Sequence, residues 1–296
     1  MLKEITTFFI YDTVKIFLLL TSIVFLVSFL RSYFPPEKTK HFLTHRLPFV
    51  GNILAALVGI VTPFCSCSAV PLFIGFVESG VPLGVTFSYL IAAPMINEVA
   101  VILLLGLFGI KIAALYVISG LVIASVVGFF LGKMNLENLV EDYVWKIKSG
   151  QTMENQKISA KEKAYQAYLY TKDLVIKVFP YVLLGVGIGA LIHGYAPEKF
   201  LTQFAGKNNL FAVPLAVLIG VPLYSNAAGT IPVVSSLIEK GLPLGTSLAF
   251  MMSITALSFP EMVILRKVLK IKLLGIYIAI LSIGIIFTGY LFNLII

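Results

Sequence analysis

The sequence predicts an all-α integral membrane protein built from two tandem four-segment repeats. Three observations carry this reading. Only 12% of the 296 residues are charged, against about 25% in an ordinary soluble domain, and the mean hydropathy is +0.99. The apolar residues fall in long blocks free of Asp, Glu, Lys and Arg: 47–77, 79–97, 112–132, 178–197, 208–238, 241–260 and 273–296. Stretches of about 18 or more such residues read as membrane helices. Finally, the chain matches itself when slid by 161 residues.

The repeat orders the elements. Pro36-Glu37-Lys38 falls on Pro197-Glu198-Lys199, Gly59 on Gly220 and Pro71 on Pro232. Glu78 falls on Glu239, Gly80 on Gly241 and Pro82-Leu83-Gly84 on Pro243-Leu244-Gly245. Lys111 meets Lys272, Tyr116 meets Tyr277 and Gly128 meets Gly289. A constant offset over more than a hundred residues marks a duplicated unit, an arrangement common in transporters. The first unit spans 1–132, with segments at roughly 11–34, 47–79, 82–108 and 110–132. A polar, mixed-charge linker follows at 133–172, read as a solvated connection. The second unit spans 173–296, with segments at roughly 173–195, 208–240, 243–267 and 271–295. The apolar run after Lys15 lacks a small-x-small cleavage site and is expected to be a retained helix.

The second segment of each unit is too long for one crossing. A continuous helix over 47–77 would measure about 46 Å, against a hydrocarbon core of about 30 Å. Pro63 and Pro71 in one copy, and Pro222 and Pro232 in the other, favour a break or a turn back. Two topologies follow. If the second segments are re-entrant, each unit crosses three times and the repeats are inverted. If every segment crosses, there are eight crossings and the repeats are parallel. The re-entrant arrangement gathers Lys38, Lys40, Arg46, the linker lysines, Arg266, Lys267, Lys270 and Lys272 on one side, leaving Lys3, Lys15, Lys111, Lys199, Lys207 and Lys240 opposite. Parallel repeats spread these charges almost evenly. The rule that basic residues concentrate on the cytoplasmic side favours inverted repeats with the N-terminus outside.

Two kinds of polar feature interrupt the apolar blocks. Cys65, Ser66, Cys67 and Ser68 lie between Pro63 and Pro71, and the second unit places Ser225, Asn226 and Thr230 between Pro222 and Pro232. Irregular backbone inside a membrane needs protein or a cavity around it, and broken helices present free N–H and C=O groups to solutes. These residues, with Asn97, are the candidate solute site. The two thiols favour soft partners such as Cu(I), zinc-like ions or trivalent arsenic; the alternative is that they pack as small hydrophobes. Thiols two residues apart on a helix point about 200° apart, so a shared target requires non-helical backbone there. The second feature is charge: Glu98 and Glu261 lie within apolar segments. An intramembrane carboxylate faces a cavity or a partner and is a candidate for proton coupling; for Glu261, pairing with Arg266 is the competing explanation. No cofactor or resident metal site is expected. Gly132-Lys133 and Gly206-Lys207 lack the rest of a phosphate-binding loop. The net charge of +8 sits between apolar blocks and does not indicate nucleic acid.

Three motifs resemble a known family. Pro63-Phe64-Cys65-Ser66-Cys67-Ser68, Gly80-Val81-Pro82-Leu83-Gly84 and Ala93-Pro94-Met95-Ile96-Asn97-Glu98-Val99 are similar to the signature of the ArsP-type predicted permeases. Pro222 to Pro232 and Ser258-Phe259-Pro260-Glu261 resemble the second half of that family. The resemblance implies a multi-pass permease of the bacterial or archaeal inner membrane. Some members export trivalent organoarsenicals such as methylarsenite, and many have no assigned substrate. The expectation is therefore a non-enzymatic secondary exporter, proton-coupled, of a small thiol-reactive or metalloid solute, with the lipid bilayer as its surroundings. Self-association into a homo-oligomer is left open. The competing classes are a membrane thiol oxidoreductase, which needs a second cysteine pair to relay electrons, and a non-transporting subunit of a membrane complex.

Overall fold

The computed structural model describes residues 48–61, 66–78, 80–141, 161–169, 211–223, 227–239, 241–266 and 268–295, with scattered helical positions between 9 and 29 and between 171 and 183. The first segment of each unit is thus described at isolated positions. Among the described residues the fold is all-α with no sheet. The one extended pairing is an isolated bridge between Val140 and Leu269.

Nine bounded α-helices order the two halves, beside a helical stretch at 161–169 in the linker. In the first half they are α1 (Pro48–Val61), α2 (Ser66–Glu78), α3 (Leu83–Met95) and α4 (Glu98–Lys133). In the second they are α5 (Ala212–Gly220), α6 (Ala227–Glu239), α7 (Leu244–Ala256), α8 (Phe259–Leu265) and α9 (Ile271–Ile295). Three stretches are long and apolar enough to cross a membrane: Glu98–Lys133, Leu244–Val263 and Ile271–Ile295. The remaining helices are short. At 1.5 Å per residue, α1, α2 and α3 are each about 20 Å long.

The proline and glycine punctuation has a direct cause. After α2, Gly80 takes φ 76°, donates to Val77 O, and is followed by Val81 donating to Phe76 O. This pair of bonds caps a helix end through a left-handed residue, which glycine adopts without steric cost. Pro82 then precedes α3 in extended backbone (ψ 136°). The second half repeats the device: Gly241 takes φ 93°, donates to Ile238 O, and Leu242 donates to Leu237 O before Pro243. Each turn leaves its two flanking helices packed on one another. Phe73 and Phe87 stack 5.2 Å apart, and Phe76 and Tyr89 meet edge-on at 5.1 Å.

α1 runs parallel to α3. Near the start of both, the Asn52 amide donates to Gly84 O (3.0 Å) and Ser88 Oγ (2.8 Å). Near their ends, Gly59 lies against Tyr89, Ala92 and Ala93. α5 and α7 are likewise parallel, with Val213 near Gly289 and Ala249, and Gly220 against Phe250 and Ser253.

All thirteen residues of α3 are buried, as are nearly all of α7. These two short helices form the interior. The long helices α4 and α9 lie outside them, with Ile102, Ile118, Ile283 and Phe287 exposed, as expected for faces that meet lipid. Small residues allow the close fit: Gly84 packs on Gly128 and Gly132 of the antiparallel α4, and Gly245 packs on Gly289 and Asn293 of α9.

The segment expected at 82–108 departs from the sequence expectation in being interrupted after Met95. Its expected boundary with the segment at 110–132 falls at Gly109, whose φ 80° and ψ 174° kink α4 into two limbs. The first break leaves α4 needing a cap, which Asn97 supplies by accepting from Val99 N at 2.7 Å. Among the described residues the halves meet at several places. Gly284 of α9 rests on Ile123 and Val127 of α4, and Phe87 stacks on Tyr277 at 5.5 Å. Beyond α4, Arg266 donates to Glu141 (3.0 Å) and Lys270 Nζ to Asn138 O (3.0 Å).

Candidate functional site

Four helix breaks inside apolar sequence define the region of interest. α1 ends at Val61 and α2 starts at Ser66; α5 ends at Gly220 and α6 starts at Ala227. α3 gives way to α4 at Ile96–Asn97, and α7 to α8 at Leu257–Ser258. Such ends carry backbone groups that no helix satisfies.

The expected solute residues divide accordingly. Cys65, Ser225 and Asn226 lie outside the described residues. Ser66, Cys67 and Ser68 form the first turn of α2, of which the backbone alone is described. Thr230 is 1% exposed within α6. Asn97 is half-buried and committed through its side-chain oxygen to the α4 cap.

The helices carrying these residues do not pair as the repeat alone suggests. α2 packs against α3 and against α8 of the other half, while α6 packs against α7 and α4. The helix that begins at Ser66-Cys67 thus meets the one that carries Glu261. Each half thus packs its broken second segment on a helix of the other.

The two carboxylates occupy opposite environments. Glu98 is exposed in the first turn of α4, where the unsatisfied N–H groups of the helix start favour a negative charge. Glu261 is fully buried. The competing explanation for Glu261 fails: Arg266 turns away to Glu141 and to Leu269 O (3.3 Å). Close to Glu261 lie two groups that the sequence reading passed over. Tyr277 of α9 is within electrostatic reach of its carboxylate, and Ser258 precedes α8; both hydroxyls are enclosed and make no hydrogen bond. Tyr277 stood out in sequence merely as the repeat partner of Tyr116, which instead donates to Met95 O at 2.7 Å. Among the described residues, no three His, Cys, Asp or Glu side chains cluster as a metal site would require.

Long apolar helices, short buried helices and mid-segment breaks define a multi-pass membrane protein. Comparison with known proteins makes the class specific: the chain belongs to the ArsP_1 family of predicted permeases, whose family profile matches residues 1–294. It is thus a transporter-class membrane protein and not an enzyme. The UPF0718 protein MJ0584 of Methanocaldococcus jannaschii is 22% identical over 86% of this chain and 85% of its own length. A candidate two-component membrane permease complex subunit of Streptococcus mutans is 26% identical over 69% of this chain and 66% of its own length. The UPF0718 protein YraQ of Escherichia coli is 23% identical over 81% of this chain and 67% of its own length. No solved structure matches the chain.

Proposed function

We propose that this permease is a secondary, proton-coupled exporter of a small thiol-reactive solute, such as a trivalent organoarsenical, in the cell inner membrane. Its solute site is drawn from Cys65, Ser66, Cys67 and Ser68, with Asn97, Ser225, Asn226 and Thr230 contributing from the other breaks, and Glu98 and Glu261 are its coupling carboxylates. The observation that carries the reading is the course of α1 and α2. The first runs parallel to the buried α3 and the second packs on it through Phe73 and Phe87, and the link bearing Cys65 joins these two short helices within an apolar block. Soft thiols at such a break suit a soft, thiol-binding solute.

In this reading the units 1–132 and 173–296 are inverted repeats. The placement of Glu141 and Asn138 beside Arg266 and Lys270 supports it. That contact sets the end of α4 next to the start of α9, and the two helices touch midway, at Ile123 and Gly284. They are therefore antiparallel, as an axis in the membrane plane requires. Parallel repeats with eight crossings would put 138–141 and 266–270 on opposite faces. Equal helix lengths at the offset of 161 residues add weight: α2 and α6 have 13 residues each, as do α3 and α7.

The test is efflux in everted vesicles across a panel of arsenicals, soft metals and sulfur anions. Transport of a thiol-binding solute should disappear in the Cys65→Ser/Cys67→Ser double variant while the protein still reaches the membrane. Undiminished transport would return both residues to a packing role. The Streptococcus mutans relative motivates a second reading, in which a partner chain completes the permease. It predicts that the purified chain alone transports nothing and gains activity with a co-purifying membrane protein.

A further inference from the structure

We propose that Tyr116 and Tyr277 are paired positioning residues that take turns at the two broken third segments. When Tyr116 holds the end of α3, Tyr277 leaves the end of α7 unheld, and the state facing the other side of the membrane exchanges the two. The inference rests on the inverted-repeat permease proposed above and adds the contact that distinguishes its two states.

The two tyrosines are repeat partners, 161 residues apart, and both are fully buried. Their surroundings match as closely. Met95 is the last residue of α3 and Ala256 the last of α7, helices of 13 residues each, and Met95 falls on Ala256 at the same offset. Each helix end closes alike, by Ile96 N donating to Ala92 O and by Leu257 N donating to Ser253 O, both at 2.9 Å. Glycine contacts set the helices that carry the tyrosines in equivalent places. Gly84 lies on Gly128 and Gly132, and Gly245 on Gly289 and Asn293. α9 thus passes α7 as α4 passes α3, which brings Tyr277 to the end of α7 as Tyr116 comes to the end of α3.

One bond breaks this equivalence. Tyr116 Oη donates to Met95 O at 2.7 Å. Tyr277 Oη is enclosed and makes no hydrogen bond. The last carbonyls of a helix have no donor within it, and the residue that would extend the α7 ladder to Ala256 O is Pro260, which has no N–H. The second half therefore holds apart the two groups that the first half joins. A buried hydroxyl without a bond is disfavoured, so Tyr277 marks a bond that another state makes. Two inverted copies that differ in this way are what a permease facing one side consists of, and facing the other side exchanges their conformations. Each state holds one tyrosine bond and forgoes one, so the two lie close in energy, as a cycle between them requires. The remaining asymmetry is Thr255, whose hydroxyl reaches Tyr116 across the halves. Its repeat partner is Pro94, which has no hydroxyl to offer Tyr277, so Thr255 favours the state of this structure.

The experiment places 3-fluorotyrosine at Tyr116 or at Tyr277, one site at a time, in the full-length chain in proteoliposomes, and reads the fluorine resonances. Each site should show a bonded and an unbonded line, with the bonded line larger at Tyr116 and smaller at Tyr277. Tyr116→Phe should raise the bonded-to-unbonded ratio at Tyr277 roughly fivefold, the worth of one intramolecular hydrogen bond. Tyr277→Phe should raise the ratio at Tyr116 by a similar factor. If Tyr116→Phe does not fold, Tyr277→Phe carries the test from the other side. A merely structural pair leaves each site indifferent to the loss of the other hydroxyl. Ratios unchanged in these variants, or bonded fractions that fall together, overturn the proposal. Glu261 lies within electrostatic reach of Tyr277 and is the rival acceptor. The bonded line at Tyr277 should survive Glu261→Met; its loss from a protein that keeps both Tyr116 lines assigns the bond to Glu261 and overturns the pairing. Methylarsenite added to one side should move the two sites in opposite directions. Sites that oppose each other but ignore methylarsenite refute that solute and support the exchange.

Discussion

Replacing Gly84 by alanine should loosen the interior of the first half. A Cβ on Gly84 would stand 2.5 Å from Gly128 O and 2.7 Å from Gly132 Cα. Carbon contacts settle near 3.5–4.0 Å, so α3 and α4 would have to part by about 1 Å. Both obstacles are backbone and cannot rotate away. Overpacking of this kind costs about 1–3 kcal/mol, which is roughly 3–10 °C of melting temperature for a chain of this size. Gly245 meets Gly289 and Asn293 in the same way, so Gly245→Ala should lose a similar amount. Gly106→Ala is the control, since nothing lies within 4 Å of the added atom. Thermal melts in one detergent, followed by size-exclusion recovery, measure all three. If Gly84→Ala melts with Gly106→Ala, the close approach of α3 to α4 is wrong. If Gly84→Ala and Gly245→Ala differ widely, the equivalence of the two units is wrong.

Three further outcomes follow from the same geometry. Cysteines placed at Lys111 and Lys272 should label with an impermeant reagent from opposite sides; labelling from one side would make the repeats parallel. Asn97→Ala should cost about 1 kcal/mol of stability through the lost cap, and Asn97→Asp should restore it; equal melting of all three proteins would remove the capping role. Glu141→Gln should change stability by less than about 1 kcal/mol, because its ion pair with Arg266 is partly exposed; a larger loss would mean that this contact holds the halves together.

The all-α membrane fold was legible from charge-free blocks because lipid tolerates few charges and no open backbone. The turns at Gly80 and Gly241 were legible as well, since a glycine followed two residues later by proline can hardly be anything but a helix end and a restart. The break at Ile96–Asn97 was not. Asn97-Glu98 reads as buried polar chemistry in sequence, whereas the structure uses Asn97 as a cap and leaves Glu98 in the first turn. Sequence distance also misled at Arg266, five residues from Glu261 and yet bonded to Glu141 at the start of the linker. The pairing of α2 with α8, and with it the neighbourhood of Tyr277 and Ser258, is a tertiary fact. Periodicity within one unit carries no information about which helix of the other unit will cover it.

The central claim is that the thiol pair lines the path of the solute, and the chain allows a clean measurement of it. Cys65 and Cys67 are the two cysteines in the sequence, so thiol labelling of the unmodified protein reports on them alone. In membranes, a small permeant maleimide should react with the native protein, and methylarsenite added beforehand should slow that reaction in proportion to its concentration. Labelling that proceeds at the same rate with and without the arsenical, or thiols that react only after denaturation, would contradict the account.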